Sequence, residues 1–519
     1  MRSRSVSQAG TLAAIIVVAA AIRLFRLGAP SLWTDEGWSA TIATMPRAAM
    51  WHIVATRETN RGLYYVFLHL WIALLGSSEA ALRLPSALAS IATIPLLYAA
   101  GRRMFGMRAG LVAALLFALS PVSVFFARDA TAYALEIMFA TAGLLLLLRV
   151  LEGASFGKLA GWAVCEAFAV LSHSLAIAAV PAQLLPLALL NRRDVPWVRL
   201  LTTAALLIAG LAPLLWLISR NDHGQLNWIR PLSWPVVGEA IFGIAGGMTD
   251  DPSGQAVVAA YGLGILLGFA ATIRAWDRSP TEAFPFALAA SGVVLPFLLA
   301  LGISFIKPIL YYRYLIFSLP CLCLFVAGGV AAIRTRAIAA LGLAALITGS
   351  TWHSWFMLER FSRYDWRQPA AYIMSHARPG DMLAVRYGPN RMLLEYYLAR
   401  AQMPRGLVES VFPDWGPDLL IDGKYFLDAE AQEFMAKRLL AQIDSTAARG
   451  RRLWFVVGGE GMGTPFDRTA SLSLIARRLY ADYKSVQIHW VDNYSLTIIE
   501  CSEPRATPAH PPKTAIEPR

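Results

Sequence analysis

The chain has 519 residues, 57% of them hydrophobic and only 15% charged, with a formal net charge of +12 and a mean hydropathy of +0.51. Soluble domains carry about 25% charged residues, so this composition excludes a soluble globular protein and predicts a polytopic α-helical membrane protein. The Lys and Arg residues fall in short runs between apolar stretches. That pattern reads as a topology signal and a contact for anionic membrane lipid, and it excludes nucleic acid as a partner.

The first apolar run, 9–27, follows Arg2 and Arg4 and leads into Arg23-Leu24-Phe25-Arg26. No clear small-residue cleavage site precedes Arg23-Leu24-Phe25-Arg26, so the run reads as an uncleaved span and not a signal peptide. A first outer loop, 28–80, carries Leu32-Trp33-Thr34-Asp35-Glu36-Gly37-Trp38. Within it, 62–76 is apolar but rich in Tyr64, Tyr65, His69 and Trp71. If that stretch crossed the bilayer, Gly101-Arg102-Arg103-Met104-Phe105-Gly106-Met107-Arg108 would lie outside, against the positive-inside rule. It is therefore expected to be a juxtamembrane helix on the outer surface.

The remaining spans are expected at 81–100, 109–126, 132–150, 158–174, 175–191, 199–219, 255–274, 284–304, 313–333 and 337–357. With the first this makes about eleven, each near the length that crosses ~30 Å of hydrocarbon. The transmembrane domain so defined is 1–357, with the N-terminus cytoplasmic. The orientation is set by basic loops, yet it also brings Asp35, Glu36, Glu58, Arg128, Asp129, His173, Lys307 and Arg313 to one outer face.

From 358 to 503 the pattern becomes mixed, predicting an extracytoplasmic α/β domain. Strands are expected at Asp381–Arg386 and Leu453–Val457, and helices at Asn390–Ala401, Ala429–Ile443 and Ser471–Tyr483. A hairpin is expected from Val486–Trp490 and Ser495–Glu500, turning near Asp492-Asn493. The glycine run Gly458 to Gly463 lacks the Gly-Lys-Ser/Thr ending of a phosphate loop and reads as a turn. The Pro-rich tail, 504–519, is expected to be disordered. Three of four cysteines lie in apolar spans, so the outer domain has no disulfide framework.

Two adjacent carboxylates at a bilayer surface are costly unless solvated or used. Asp35, with Glu36, is the candidate general base for an acceptor hydroxyl. Arg128-Asp129 after the third span reads either as an interface Arg beside a helix-terminal acid or as a second acid that orients the acceptor. Asp35 and Asp129 are also the candidates for holding a divalent metal ion; no other cofactor is implied. Lys307 and Arg313 read either as snorkelling cations or, with Arg128, as a clamp for a lipid phosphate. Trp33, Asn60, Tyr64, Tyr133, His173 and Tyr312 are candidate substrate contacts.

Four stretches together resemble the GT-C superfamily of membrane glycosyltransferases, in particular the glycosyltransferase-39-like branch related to protein O-mannosyltransferases and the aminoarabinose transferase of lipid A. They are Leu32-Trp33-Thr34-Asp35-Glu36; Leu82-Arg83-Leu84-Pro85-Ser86-Ala87 with Tyr98 and Gly101 to Gly106; Ser120-Pro121 with Arg128-Asp129-Ala130 and Tyr133; and Lys307-Pro308 with Arg313-Tyr314. Tyr364-Asp365-Trp366-Arg367 and Gly380-Asp381 also fit. The chain has Asn60-Arg61-Gly62 where the family usually has Asn-Pro-Pro. The resemblance implies a polyprenyl-phosphate-linked sugar as donor and a hydroxyl acceptor on lipid, glycan or protein. It implies work at the outer face of a bacterial inner membrane. Asp35 matches the family's catalytic acid, Asp129 the second acidic position, and Lys307 and Arg313 the phosphate region. The rival reading is a polyprenyl-lipid or glycolipid flippase. Against it, no inverted repeat is visible and the charged residues gather at one face instead of midplane.

Overall fold

Apolar stretches separated by Gly, Pro and basic residues become helices, and the mixed C-terminal stretch becomes a sheet with helices around it. The computed structural model describes residues 2–220, 226, 229–360, 364–385, 388–403, 408–412, 429–458, 470–491 and 496–505. By their contacts the residues fall into two units. The first comprises Met1–Ala29, Ile42–Asp222 and Ile229–Phe361, and the second Pro30–Thr41, His223–Trp228 and Ser362–Arg519.

In chain order the helices are α1 (Arg2–Leu24), α2 (Thr34–Thr44), α3 (Arg47–Thr56), α4 (Gly62–Leu75), α5 (Glu79–Phe105), α6 (Met107–Leu119), α7 (Pro121–Ala127), α8 (Tyr133–Leu151), α9 (Phe156–Ser172) and α10 (Ala179–Leu184). They continue with α11 (Trp197–Arg220), α12 (Trp234–Ile244), α13 (Pro252–Trp276), α14 (Pro280–Ser304), α15 (Leu319–Ala331) and α16 (Arg336–Arg360). Each of the eleven expected spans falls on a helical segment. Among the described residues, however, only six of those segments are long and apolar enough to cross a membrane, or seven if the bent pair α6/α7 counts as one span. The expected count of about eleven is not confirmed. Pro181 and Pro186 break one expected span, 175–191, into the short helical turns of Ser174–Leu189. Helix α4 has 14 residues; at 1.5 Å each it is about 21 Å long, too short to cross. It buries Tyr64, Tyr65 and Leu68 and exposes Leu70, Leu74 and Leu75.

The 58° bend between α6 and α7 follows from Ser120-Pro121. Pro121 has no N–H to donate to the Phe117 carbonyl four residues back. Arg23 of α1, fully buried, fills that gap. Its Nη2 donates to Phe117 O at 3.4 Å and Ser123 Oγ at 2.7 Å, its Nη1 to Ala118 O at 2.9 Å, and its Nε to Ser90 Oγ at 2.9 Å. Ser354 of α16 donates to the next exposed carbonyl, Leu119 O, at 3.0 Å. Backbone groups freed inside a membrane need such internal partners.

The second unit holds α17 (Arg367–His376), α18 (Gly388–Arg400), α19 (Ala429–Ala448) and α20 (Ala470–Asp482). Its strands are β1 (Asp381–Val385), β2 (Val408–Phe412), β3 (Leu453–Gly458), β4 (Tyr483–Val491) and β5 (Leu496–Pro504), in the order β2-β1-β3-β5-β4. β1 is parallel to both β2 and β3, whereas β5 is antiparallel to β3 and β4. β1 is buried throughout, and β3 up to its last residue, as expected of parallel strands covered on both faces. Met382, Phe455, Ile443, Leu479 and Ile499 meet in the core. The expected strands, helices and hairpin arms coincide with these elements to within a few residues. β2 and α17 are additions. The hairpin's turn at Asp492-Asn493, the glycine run beyond Gly458 and the tail beyond Arg505 lie outside the described residues.

Candidate active site

Asp35 and Glu36 stand in the first turn of α2. Trp33 occupies the position before the helix, and its backbone N–H donates to Glu36 Oε2 at 3.3 Å. That is the acidic half of a capping box, in which the third helical residue reaches back to the cap. Glu36 is 0% exposed and acts as a cap; Asp35 is half-exposed. The second unit fixes this turn. Tyr397 Oη of α18 accepts from Leu32 N at 2.8 Å and from Ser31 Oγ at 3.2 Å, and Ser31 Oγ accepts from Trp366 N at 3.2 Å. A Cβ on Gly37 would lie 2.5 Å from Leu393 Cδ2, so the turn and α18 meet at glycine distance.

The other candidates lie in the first unit. Arg61 ends a 3-10 turn, Thr59–Arg61, before α4. Its Nη2 donates to Tyr133 Oη at 3.2 Å, with the guanidinium 5.5 Å from that ring. The His173 ring is 5.6 Å from Tyr133 and 5.0 Å from Tyr314. The Arg313 guanidinium lies 5.0 Å from Tyr311 and 6.0 Å from Tyr314, and Tyr311 packs on Tyr312 at 5.0 Å. Glu136, one turn after Tyr133 on α8, places Oε1 3.8 Å from His173 Nδ1. Thus Tyr133, His173, Tyr312 and Arg313 form one aromatic and cationic cluster. Asn60 adjoins Arg61, and Tyr64 packs edge-on to Tyr65 at 5.8 Å, whose hydroxyl donates to Glu58 Oε2 at 3.0 Å.

The connection that carries Lys307 and Arg313 is pinned by Ser304, whose Oγ accepts from Ile309 N at 3.1 Å and Leu310 N at 2.9 Å. Lys307 is half-buried there. Tyr312 packs over Gly243 of α12, where a Cβ would come within 2.4 Å of its ring. Asp129, 0% exposed, sits in the turn before α8 and accepts from Thr131 Oγ1 at 2.9 Å. Ser86 Oγ holds that turn through Thr131 O at 3.2 Å.

Arg128 lies against the C-terminal end of α1. Its Nη1 donates to the carbonyls of Ile22, Arg23 and Phe25 at 3.0, 3.1 and 2.6 Å, and Arg83 donates to Leu27 O at 2.9 Å. Both arginines satisfy the open carbonyl end of α1 and complement its dipole.

Among the described residues no three His, Cys, Asp or Glu side chains come together as a metal set. Asp251, Ser253 and His353 have the composition of a catalytic triad but not its arrangement. Asp251 caps α13 through Ser253 N at 2.8 Å, and His353 Nε2 accepts from Met248 N at 3.3 Å. Sequence reasoning missed Arg61 and Glu136. The signal for Glu136 was available: it is a lone carboxylate in the apolar run Ala134-Leu135-Glu136-Ile137.

The family model described as dolichyl-phosphate-mannose-protein mannosyltransferase matches residues 62–218. No curated protein matches the chain. Among solved structures, the chain is similar to ArnT from Cupriavidus metallidurans in the apo state, with a TM-score of 0.59 and 14% identity over 97% of this chain and 100% of that one. The same enzyme bound to undecaprenyl phosphate gives 0.60 and 15% over 95% and 98%. The archaeal oligosaccharyltransferase AglB from Archaeoglobus fulgidus, in complex with an inhibitory peptide and a dolichol-phosphate, gives 0.53 and 11% over 98% and 75%. The chain therefore shares the fold of these solved structures.

Proposed function

We propose that this protein moves a sugar from a polyprenyl-phosphate donor to a hydroxyl acceptor at the outer face of a bacterial inner membrane, with the N-terminus cytoplasmic and the second unit outside. The observation that carries this reading is likeness over 95% of the chain to a structure solved with undecaprenyl phosphate. The cluster of Arg61, Arg313 and tyrosines supports it, because guanidinium forks suit phosphate oxygens and aromatic faces suit sugar rings. The donor already carries its leaving group. The protein must neutralise that phosphate, present the anomeric carbon and deprotonate the acceptor. Arg313 and Lys307 take the phosphate; Asp35 takes the hydroxyl proton as the hydroxyl attacks. The carbon–oxygen bond to phosphate breaks as the new glycosidic bond forms, with inversion.

The test is Asp35→Asn in the full chain, assayed for transfer of labelled sugar from polyprenyl phosphate into envelope glycolipids and glycoproteins. Loss of general-base action lowers turnover about 10²–10⁴-fold with unchanged membrane insertion. Unchanged transfer removes Asp35 from the mechanism. Impermeant-thiol labelling of single cysteines beside Asp35 and Lys307 checks the orientation, and opposite-side labelling would refute it.

A further inference from the structure

The basic residues that close the membrane helices differ in what they touch. Arg103 donates to Glu152 Oε1 at 3.0 Å, Lys158 to Arg149 O at 3.0 Å and Gly153 O at 2.6 Å, and Arg199 to Ala154 O at 3.2 Å. Arg274, Arg334 and Arg336 are exposed, and no described residue pairs with their guanidinium groups. Other exposed arginines, Arg102, Arg108 and Arg149 among them, share that state, but these three converge. α13 and α15 run parallel: a Cβ on Gly264 would lie 2.5 Å from Val326 Cγ1, and one on Gly329 would overlap Gly268 N. α13 and α16 run antiparallel: Gly254 faces His353, and Gly349 faces Val257. Arg274 follows Gly268 by six residues, and Arg334 follows Gly329 by five. Thirteen residues along both helices from the Gly349–Val257 contact, Arg336 comes level with Ala270, one turn from Arg274. Ile273 and Trp276 of α13 and Ile338 and Leu341 of α16 are exposed at the same end. The other charges on the α13–α14 corner are Asp277 and the pair Arg278–Glu282, at 3.2 Å.

We propose that Arg274, Arg334 and Arg336 together bind the phosphodiester of an anionic phospholipid of the surrounding bilayer. Guanidinium forks match phosphate oxygens, and basic pockets between membrane helices collect anionic headgroups. The exposed Ile273, Trp276, Ile338 and Leu341 give the acyl chains apolar contacts that a free phosphate would not use. This site is separate from Lys307 and Arg313. α14 has 25 residues and is therefore about 37 Å long; it starts just after Arg278 and ends just before Lys307. The lipid site thus stands independently of the donor and acceptor assignments above.

The experiment uses the full chain in detergent micelles and measures binding by native mass spectrometry. The probes are phosphatidylglycerol, phosphatidylcholine with the same acyl chains, and inorganic phosphate. Wild type is expected to hold phosphatidylglycerol about tenfold or more tighter than phosphatidylcholine, and equimolar inorganic phosphate should not displace it. Combining Arg274→Gln, Arg334→Gln and Arg336→Gln should cut that preference to about twofold or less. The corresponding triple change to Lys keeps the charge without the fork and should retain about threefold or more. Arg103→Gln, Arg149→Gln and Lys158→Gln together remove as much charge beside the α8–α9 corner and should leave the preference intact. No preference in wild type, or one retained by the triple Gln variant, overturns the site. An equal loss in the α8–α9 control also overturns it, because diffuse attraction to net charge then suffices. Displacement by equimolar phosphate would make it a site for a soluble anion, against the proposal. Loss of both lipids together in the Gln and Lys variants would show damage to the fold and refutes recognition by charge.

Discussion

Replacing Arg23 with Met tests whether the bend that leads into Asp129 and α8 is held by one side chain. Met keeps the length and fills the space but donates nothing. Ser90 and Ser123 retain each other, their hydroxyls being 3.3 Å apart. Ala19 O loses only a contact at 3.3 Å and keeps its place as an acceptor within α1. Phe117 O and Ala118 O lose Arg23, and Pro121 cannot replace it at Phe117. Each buried carbonyl left without a donor costs about 1–3 kcal/mol, so the loss is about 2–6 kcal/mol. Removing a buried guanidinium recovers part of its desolvation, which sets the expectation in the lower half of that range. The assay is reversible unfolding of the full chain in mixed micelles against SDS, paired with the variant Pro121→Ala. That second substitution restores a backbone N–H for Phe117 O, so the double variant should lose less than the sum of the singles by about 1 kcal/mol or more. A loss below about 0.5 kcal/mol for Arg23→Met, or strict additivity, would refute the account.

Tyr397→Phe removes the oxygen that accepts from Leu32 N and Ser31 Oγ; transfer should fall about three- to tenfold in kcat with KM unchanged, the worth of one net hydrogen bond, and an equal rise in KM would show a binding role instead. Gly243→Ala places a methyl group against Tyr312; overpacking of this kind costs about 1–3 kcal/mol, and an unchanged melting profile in nanodiscs would contradict the packing. Burial first, then the neighbouring Asp444 carboxylate, raises the Asp482 carboxyl to about 6, against the pull of Arg478. The folded chain therefore binds this proton more tightly than the unfolded one, and the group's contribution to stability declines as pH rises from about 4 through 6. Asp482→Asn should slow hydrogen exchange across Ala470–Asp482 at pH 8 relative to wild type, with the difference vanishing by pH 5; a difference that grows on acidification would reverse the sign.

Helix positions were legible because hydropathy and charge act over whole segments. The parallel strands β1 and β3 were legible because they are short, continuously apolar runs. β2 and α17 were not. Val408–Phe412 includes Glu409 and Ser410, and it is a strand through its pairing with β1, a tertiary cause. The eleven-span count is not confirmed for a related reason: hydropathy registers apolar residues, whereas Pro181 and Pro186 decide whether they form one continuous helix. The pairing of Ser31 and Leu32 with Tyr397 spans more than 360 residues of sequence, and no local pattern announces it.

The charged residues of the motifs looked alike in sequence, and hydrogen bonding separates them. Arg23, Arg83, Arg128 and Glu36 each meet backbone groups exposed at a helix break or end. Their cost of burial is offset by groups that would otherwise be unsatisfied, so their loss should act first on stability. Asn60, Glu136 and His173 are the opposite case, with buried polar atoms that no described residue hydrogen-bonds. A fold held by marginal free energy keeps such atoms only where something else completes them. Substitutions in the first group should therefore lower transfer in proportion to lost folded protein. Isosteric substitutions in the second should leave stability unchanged or raised and lower transfer per folded molecule. Measuring both quantities on Arg83→Met and His173→Asn distinguishes the groups: if His173→Asn destabilises as Arg83→Met does, unsatisfied burial is not a marker of ligand contact in this protein.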